Sequence, residues 1–171
     1  MTWQTERLQI EQMKLQHAEG LYQALKDPKV ARYIGGPDLV SVEDAQKRIE
    51  FVTNPINAPA GQQWLNFVIM LQEQIIGRLE ATITGNKAEI AYLVGPKWWG
   101  NGYGLEGTKW LVDYLQTFHV SEFWATVHPE NTYSIKLLHN LGFEETKNFD
   151  SNYLQSLDEG DLVFNMNLEK R

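Results

Sequence analysis

The sequence predicts an α+β fold in which helices flank a mixed, mostly antiparallel central sheet. Three successive β-prone runs in the middle of the chain, joined by short polar turns, indicate an antiparallel meander. Segments with helical periodicity then alternate with further β-prone segments, which is typical of a β-α-β-α unit. A chain of 171 residues is long enough to bury one hydrophobic core. We therefore expect a single domain over residues 1–171.

The first third of the chain is predicted to hold one strand and three helices. Residues Arg7–Met13 alternate polar and apolar side chains, which indicates a half-buried strand. The apolar spacing is helical over His17–Ile34, and Pro28 is expected to divide this stretch into two short helices. Gly35-Gly36-Pro37 is predicted to be a loop. Ser41 is placed to cap the next helix.

The remainder of the chain supplies the other strands and two longer helices. The predicted strands span Trp64–Leu71, Gln74–Thr84, Ala88–Val94, Glu122–Val127, Glu144–Phe149 and Leu162–Leu168. The predicted helices span Tyr103–Phe118 and Asn131–Leu141, and Gly142 is expected to close the second one. Asp158-Glu159-Gly160-Asp161 is expected to be the hairpin turn between the last two strands.

Composition excludes several classes of protein. The net charge of −7 argues against nucleic-acid binding, which needs a basic face. The absence of cysteine excludes a disulfide framework, a thiolate nucleophile and Cys-ligated metal sites, and the four histidines show no metal-binding spacing. No stretch approaches the roughly 18 apolar residues of a membrane span, and no secretory signal is apparent. We expect a cytoplasmic protein with no metal and no membrane or nucleic-acid partner.

The most informative segment is the glycine-rich stretch Trp98–Gly107, which lies between a predicted strand and an amphipathic helix. Glycine lets the backbone adopt positive φ and lets a ligand approach the main chain closely. The helix N-terminus offers free N–H groups and a partial positive charge to a phosphate or diphosphate. We therefore expect an anionic ligand here; a tight turn that simply leads into a helix is the alternative.

Two familiar phosphate-binding motifs do not fit this segment. Gly102–Gly107 matches G-x-G-x-x-G, but the preceding strand ends at Val94 and the segments before it are predicted to be antiparallel, unlike a dinucleotide-binding fold. A P-loop requires Lys followed by Ser or Thr after the last glycine, and Thr108-Lys109 stands there.

Three segments, taken in order, resemble the GNAT superfamily of acyl-CoA-dependent N-acetyltransferases. Glu89–Pro96 is similar to the family's central strand and Trp99–Glu106 to its pyrophosphate loop. Asn131–Phe143 is similar to its second cofactor helix. The opening Thr5–Leu8 suits the branch that includes ribosomal-protein N-terminal acetyltransferases. The resemblance covers essentially the whole chain and implies the GNAT fold.

The resemblance implies that acetyl-CoA is the co-substrate and that the cofactor-contacting residues lie in three places. Backbone N–H groups of the loop would hold the diphosphate, the strand would pair with the pantetheine arm, and the second helix would face the pantetheine and the sulfur. The implied residues are Tyr92, Leu93, Val94, Trp99, Gly100, Asn101, Gly102, Tyr103, Gly104, Asn131 and Ser134.

The chemistry needs a base and a proton donor. An amine is largely protonated near neutral pH and must lose a proton before it attacks a thioester. Glu89 is the candidate base; the alternative is a polar residue on a solvated strand face. Many family members carry a Tyr seven residues after the Asn to protonate the thiolate, and Leu138 occupies that position here. Ser134 is therefore the candidate proton donor, with Tyr133 as a weaker candidate and water as a further one. The alternative for Ser134 is an ordinary first-turn serine of a helix.

Several functions stay open at this stage. Without cysteine, direct attack by the amine in a ternary complex is the simplest route. The acceptor is expected to be a protein N-terminus or a small amine, with an aminoglycoside or a polyamine as alternatives on the same fold. A non-catalytic acyl-CoA-binding module and, more distantly, a nicotinamide dehydrogenase are the other classes considered. Assembly as a homodimer is left open.

Overall fold

The computed structural model describes residues 1–34 and 39–170, and over these residues the strands form one eight-stranded sheet. The strands are β1 (Thr2–Gln4), β2 (Gln9–Gln12), β3 (Gln62–Leu71), β4 (Gln74–Thr84), β5 (Lys87–Val94), β6 (Glu122–Val127), β7 (Glu144–Glu145) and β8 (Leu162–Asn167). Their order across the sheet is β1-β2-β3-β4-β5-β6-β8-β7. Every neighbouring pair is antiparallel except β5 and β6, which are parallel. This confirms the predicted mixed, mostly antiparallel sheet.

Helices cover both faces of the sheet. They are α1 (Ala18–Leu25), α2 (Pro28–Ala31), α3 (Val42–Thr53), α4 (Tyr103–Gln116) and α5 (Thr132–Leu141). The apolar sides of α4 and α5 pack with the sheet in the larger core cluster, and α1 and α3 pack on the other face in a second cluster. No helix in the described ranges is both long and apolar enough to cross a membrane.

Local signals placed most helix boundaries correctly. Pro28 begins α2 and so divides the predicted His17–Ile34 stretch as expected. Ser41 caps α3, its Oγ accepting the Asp44 N–H at 3.0 Å. Gly142 adopts a φ of 95° at the end of α5. The predicted loop Gly35-Gly36-Pro37 lies outside the described residues.

Two parts of the strand prediction were wrong. β1 was not predicted; it is a three-residue strand at the edge of the sheet and too short to show a period. The strand predicted over Glu144–Phe149 ends at Glu145, after which the chain leaves the sheet and forms a short 3₁₀ turn at Ser151–Tyr153. The turn at Asp158–Asp161, closed by a 3.1 Å bond from the Asp161 N–H to the Asp158 carbonyl, therefore leads into β8 and does not form a tight hairpin.

The central strands β5 and β6 separate along their length and leave a cleft. Their parallel pairing covers only Lys87–Glu89 against Glu122–Trp124. From Ile90 to Val94, β5 has no strand neighbour on this side within the described part of the chain. An unpaired strand edge carries free N–H and C=O groups that can pair with an extended ligand. The topology thus places such an edge at the centre of the protein.

Candidate active site

Two adjoining cavities occupy the cleft between β5 and β6. The smaller one has a volume of about 270 Å³ and the larger one about 460 Å³. Seven of the residues predicted to contact the cofactor line the smaller cavity: Tyr92, Leu93, Val94, Trp99, Gly104, Asn131 and Ser134. Six residues line both cavities: Tyr33, Ile34, Tyr92, Leu93, Asn131 and Ser134. Because these walls are shared, two ligands can meet at one place.

The free edge of β5 points its backbone groups into this cleft. The Gly95 N–H binds the Ile76 carbonyl across the β4 side, whereas the Val94 carbonyl accepts a 2.7 Å bond from Trp99 Nε1 on the cleft side. Since N–H and C=O groups of alternate residues point to the same edge of a strand, the Tyr92 and Val94 N–H groups face the cleft. Leu93 therefore offers the cleft its side chain and not its amide.

The glycine-rich loop has the backbone conformation that the sequence indicated. Gly100 and Gly102 adopt φ values of 78° and 80°, which non-glycine residues rarely reach. Gly102 is the N-cap of α4 and makes no side-chain capping bond. The Asn101 side chain donates bonds of 3.0 and 3.1 Å to the carbonyls of Trp98 and Trp99. Gly102 thus leaves the first-turn N–H groups of α4 without a side-chain cap.

Glu106 fastens this loop to the N-terminal segment. One carboxylate oxygen accepts the Arg7 N–H at 2.7 Å and the Thr5 hydroxyl at 2.6 Å, and the other accepts Arg7 Nε at 2.7 Å. Arg7 Nη1 continues the network to the Asn101 carbonyl at 2.8 Å. Partial burial acts to raise the pKa of Glu106, but the bonds from Thr5 and Arg7 outweigh it and hold the pKa below its usual value. Glu106 therefore has a structural role beyond complementing the helix dipole.

The family resemblance, which implies that this loop binds the cofactor, predicts that replacing Glu106 by Gln weakens acetyl-CoA binding while sparing the chemical step. The amide cannot pair with the Arg7 guanidinium, so the loop loses its main fastening. We expect the Michaelis constant for acetyl-CoA to rise several-fold with kcat nearly unchanged. Asp113→Asn is a matched control, since it breaks an exposed 2.7 Å ion pair with Lys109 on the same helix. Equal effects of the two variants in steady-state kinetics would contradict the proposed fastening.

Two hydroxyl groups meet where the two cavities join. Tyr92 Oη and Ser134 Oγ lie 2.5 Å apart. Burial raises the pKa of Tyr92 well above its usual value, against the opposing bond with Ser134. Leu138, at the position where the family often carries a Tyr, is fully buried in the core. From the sequence, Tyr92 was expected to contribute only its backbone, because a pairing between side chains 42 residues apart leaves no local signal.

Asn131 serves as the N-cap of α5 as well as lining both cavities. Its Oδ1 accepts the Ser134 N–H at 3.2 Å. This bond fixes the first turn of α5 and holds Ser134 against Tyr92. Asn131 therefore caps α5 and lines both cavities at the same time.

Glu89 occupies a different environment from the other predicted residues. Only 6% of it is exposed, and it does not line either cavity. One carboxylate oxygen accepts the Gln155 N–H and the other accepts the Ser156 N–H at 3.0 Å. Burial raises the pKa of Glu89, and these backbone bonds oppose it. Its role as the base stays a prediction.

The larger cavity carries charged side chains that the sequence analysis did not select. On one side Glu80 accepts bonds from Arg48 at 2.5 Å and Arg78 at 3.1 Å. On the other side lie Asp158 and Asp161, in the loop that precedes β8. These residues come from α3, β4 and a distant loop, so they converge only in the folded chain. Across residues 1–34 and 39–170, no three His, Asp or Glu side chains are grouped to hold a metal ion.

Aromatic rings border the same cavity. Tyr33 lies against His128 with ring centroids 5.5 Å apart, and both line the larger cavity. Tyr33 follows α2, whereas His128 follows β6. The pair therefore bridges the two sides of the cavity.

Comparison with known proteins decides the family. The Acetyltransferase (GNAT) domain description matches residues 7–144. The chain belongs to this GNAT family. It is 30% identical over 148 residues to the uncharacterised N-acetyltransferase p20 of Bacillus licheniformis, covering 84% of this chain and 83% of that protein. This GNAT acetyltransferase is thus an acyl-CoA-dependent enzyme that uses acetyl-CoA.

Solved structures of GNAT proteins share the fold. A GNAT-family acetyltransferase from Bacillus anthracis superposes with a TM-score of 0.75 at 21% identity, covering 99% of both chains. RimL, the ribosomal L7/L12 α-N-protein acetyltransferase solved with coenzyme A, superposes with a TM-score of 0.79 at 17% identity, covering 98% of this chain and 97% of RimL. These likenesses confirm the GNAT fold predicted from the sequence.

Proposed function

We propose that the enzyme transfers the acetyl group of acetyl-CoA to a primary amine by direct attack within a ternary complex. The observation that carries this proposal is the junction of the two cavities beside the unpaired edge of β5. A thioester placed at the junction is open to a nucleophile from the larger cavity. The sequence holds no cysteine for a covalent acyl-enzyme.

The residues of the smaller cavity and the glycine-rich loop suit coenzyme A. In the proposal, the N–H groups of Gly100–Gly104 bind the diphosphate at the N-terminus of α4. The pantetheine arm lies along Tyr92–Val94 as an added strand, flanked by Trp99, Asn131 and Ser134. A cleft-facing amide of Tyr92 or Val94 then stabilises the oxyanion that forms on the thioester carbonyl.

The hydroxyl pair is the proposed source of the proton for the departing sulfur. The amine nitrogen forms a bond to the carbonyl carbon, the C–S bond breaks, and the thiolate takes a proton. Ser134 is the donor in this proposal, and Tyr92 orients it through their shared hydrogen bond. The proton removed from the amine leaves through a carboxylate in the larger cavity.

Ser134→Ala is expected to lower kcat by about 10²-fold, the lower end of the effect of losing a general acid. The affinity for acetyl-CoA should change little because the loop and the β5 edge are intact. Tyr133→Phe is the matched control: it removes a neighbouring, half-exposed hydroxyl that lines only the smaller cavity. Single-turnover measurements separate the chemical step from binding. An unchanged kcat in Ser134→Ala would show that another group donates the proton to the departing thiolate.

The larger cavity is the proposed acceptor site. Asp158 and Asp161 offer carboxylates to an ammonium group and to the proton that it must lose. A protein N-terminus or a small amine satisfies this chemistry. RimL, which shares the fold, acetylates the α-amino group of a ribosomal protein, and this favours a peptide N-terminus.

A turnover assay tests the proposed function directly. Release of free thiol from acetyl-CoA is followed with N-terminal peptides, amino acids, polyamines and aminoglycosides, each paired with its N-acetylated form. We expect turnover with a primary amine and none with the blocked counterpart. If coenzyme A protects the protein against heat but no amine releases thiol, the transfer reaction proposed here is wrong.

A further inference from the structure

We infer that Glu89 is a positioning residue that fixes the acceptor-side loop, residues 154–161, against the sheet. The inference rests on the proposed function only in naming the larger cavity as the acceptor site. Glu89 lies on β5, and the loop precedes β8, so the contact joins segments 66 and 67 residues apart. Such a contact can set where the carboxylates of this loop stand.

The contact uses the whole carboxylate. Each oxygen of Glu89 accepts one backbone N–H, from Gln155 and from Ser156, which are consecutive in the chain. An ionised carboxylate is the side chain that accepts bonds on both oxygens without offering a hydrogen. Bonds to a charged acceptor are also stronger than bonds between neutral groups. Two adjacent amides are thereby fixed in both position and direction.

Contacts on either side of Gln155 and Ser156 make the position of the loop depend on their bonds to Glu89. Leu154 is buried immediately before the two amides. The Thr126 hydroxyl donates a 3.1 Å bond to the Ser156 carbonyl. Asp158 and Asp161 then close their own turn, with the Asp158 N–H bonding Asp161 Oδ2 at 3.0 Å. The turn is closed by its own bonds, so its place in the cavity follows the anchored residues before it.

Position along β5 separates Glu89 from the reacting atoms. Glu89 stands where β5 and β6 are still paired, whereas the cleft opens from Ile90 onward. It does not line either cavity, although Ser156, Asp158 and Asp161 all line the larger one. Glu89 therefore acts on the acceptor through the loop and not by touching it.

The substitution Glu89→Gln separates this role from that of a base. A glutamine side chain can accept a hydrogen bond from one of the two backbone N–H groups. Its own NH₂ then faces the other N–H, and two donors cannot bond each other. We expect the amides of Gln155 and Ser156 to exchange hydrogen about tenfold faster or more, because local opening becomes easier. The Michaelis constant for the acceptor should rise, while the affinity for acetyl-CoA, bound along the far end of β5, should stay within about twofold.

Hydrogen exchange followed by mass spectrometry on the full chain measures the exchange rate of this loop and needs no acceptor substrate. Glu122→Gln is the matched control, since Glu122 lies on the adjoining strand and bonds Trp124 Nε1 at 2.9 Å and not the loop. Wild-type protection of residues 154–161 in Glu89→Gln would overturn the inference, whether or not kcat falls. If that variant does not fold, Glu89→Asp tests the same point, because the shorter carboxylate keeps its charge but cannot reach both amides. Failure to find an amine substrate would count against the proposed function. It would not affect the hydrogen-exchange result for residues 154–161, which needs no substrate.

Discussion

Gly102→Val is expected to raise the Michaelis constant for acetyl-CoA by about tenfold or more, equivalent to about 1.4 kcal/mol of lost binding. Gly102 adopts a φ of 80° at the N-cap of α4, a conformation that is strained for a β-branched residue. A Cβ added there would lie 3.3 Å from Arg7 Nη2, so the Arg7 side chain must shift slightly, and relief of the strained φ requires the loop itself to move. Any such movement turns the N–H groups away from the diphosphate.

Gly61→Val is the control for the backbone strain alone. Gly61 has nearly the same φ, 82°, and no atom within 4 Å of an added Cβ. It lies outside both cavities of the cleft. Thermal unfolding should show similar destabilisation for the two variants, while isothermal titration with coenzyme A should show weaker binding only for Gly102→Val. Equal affinities of the two variants for coenzyme A would show that the glycine-rich loop is not part of the binding site.

Replacing both Asp158 and Asp161 by Asn is expected to lower kcat/KM by about 10²–10⁴-fold, the range typical for loss of a general base. The double change is needed because the two side chains share one turn and one wall of the larger cavity. The deficit should shrink as the pH rises toward the pKa of the acceptor amine, because free amine then forms without a base. A pH–rate profile of wild type and variant measures this difference.

Glu159→Gln provides the matched control for the loss of negative charge. Glu159 lies between the two aspartates but is exposed and does not line either cavity. Its replacement should leave kcat/KM nearly unchanged. Full activity in the double Asp variant, at every pH, would show that neither aspartate is the base.

Local signals explain why the conformation of the glycine-rich loop and the cap of α5 could be predicted from the sequence. Positive φ at Gly100 and Gly102 and the cap at Asn131 are properties of short segments, and the order of such segments indicated the family. These segments border the cavity where seven predicted residues gather. The central strands of the sheet were predicted on the same basis, because polar–apolar alternation and turn residues are also properties of short segments.

Long-range contacts explain what the sequence could not show. Strand alternation indicated a polar face at Glu89, but its partners lie in a loop 66 and 67 residues away. The strand predicted to reach Phe149 stops at Glu145; one further bond, from the Thr146 N–H to the Val163 carbonyl of β8 at 2.9 Å, follows before the chain forms the 3₁₀ turn at Ser151–Tyr153. The charged side chains of the larger cavity come from α3, β4 and the loop before β8, so they share no sequence pattern.

A crystal structure of the enzyme with coenzyme A tests the central claim most directly. The account predicts that the diphosphate contacts the N–H groups of Gly100–Gly104 and that the pantetheine arm runs along Tyr92–Val94, with its sulfur beside Ser134. A diphosphate bound away from the N-terminus of α4, or a pantetheine arm that avoids the open edge of β5, would contradict it.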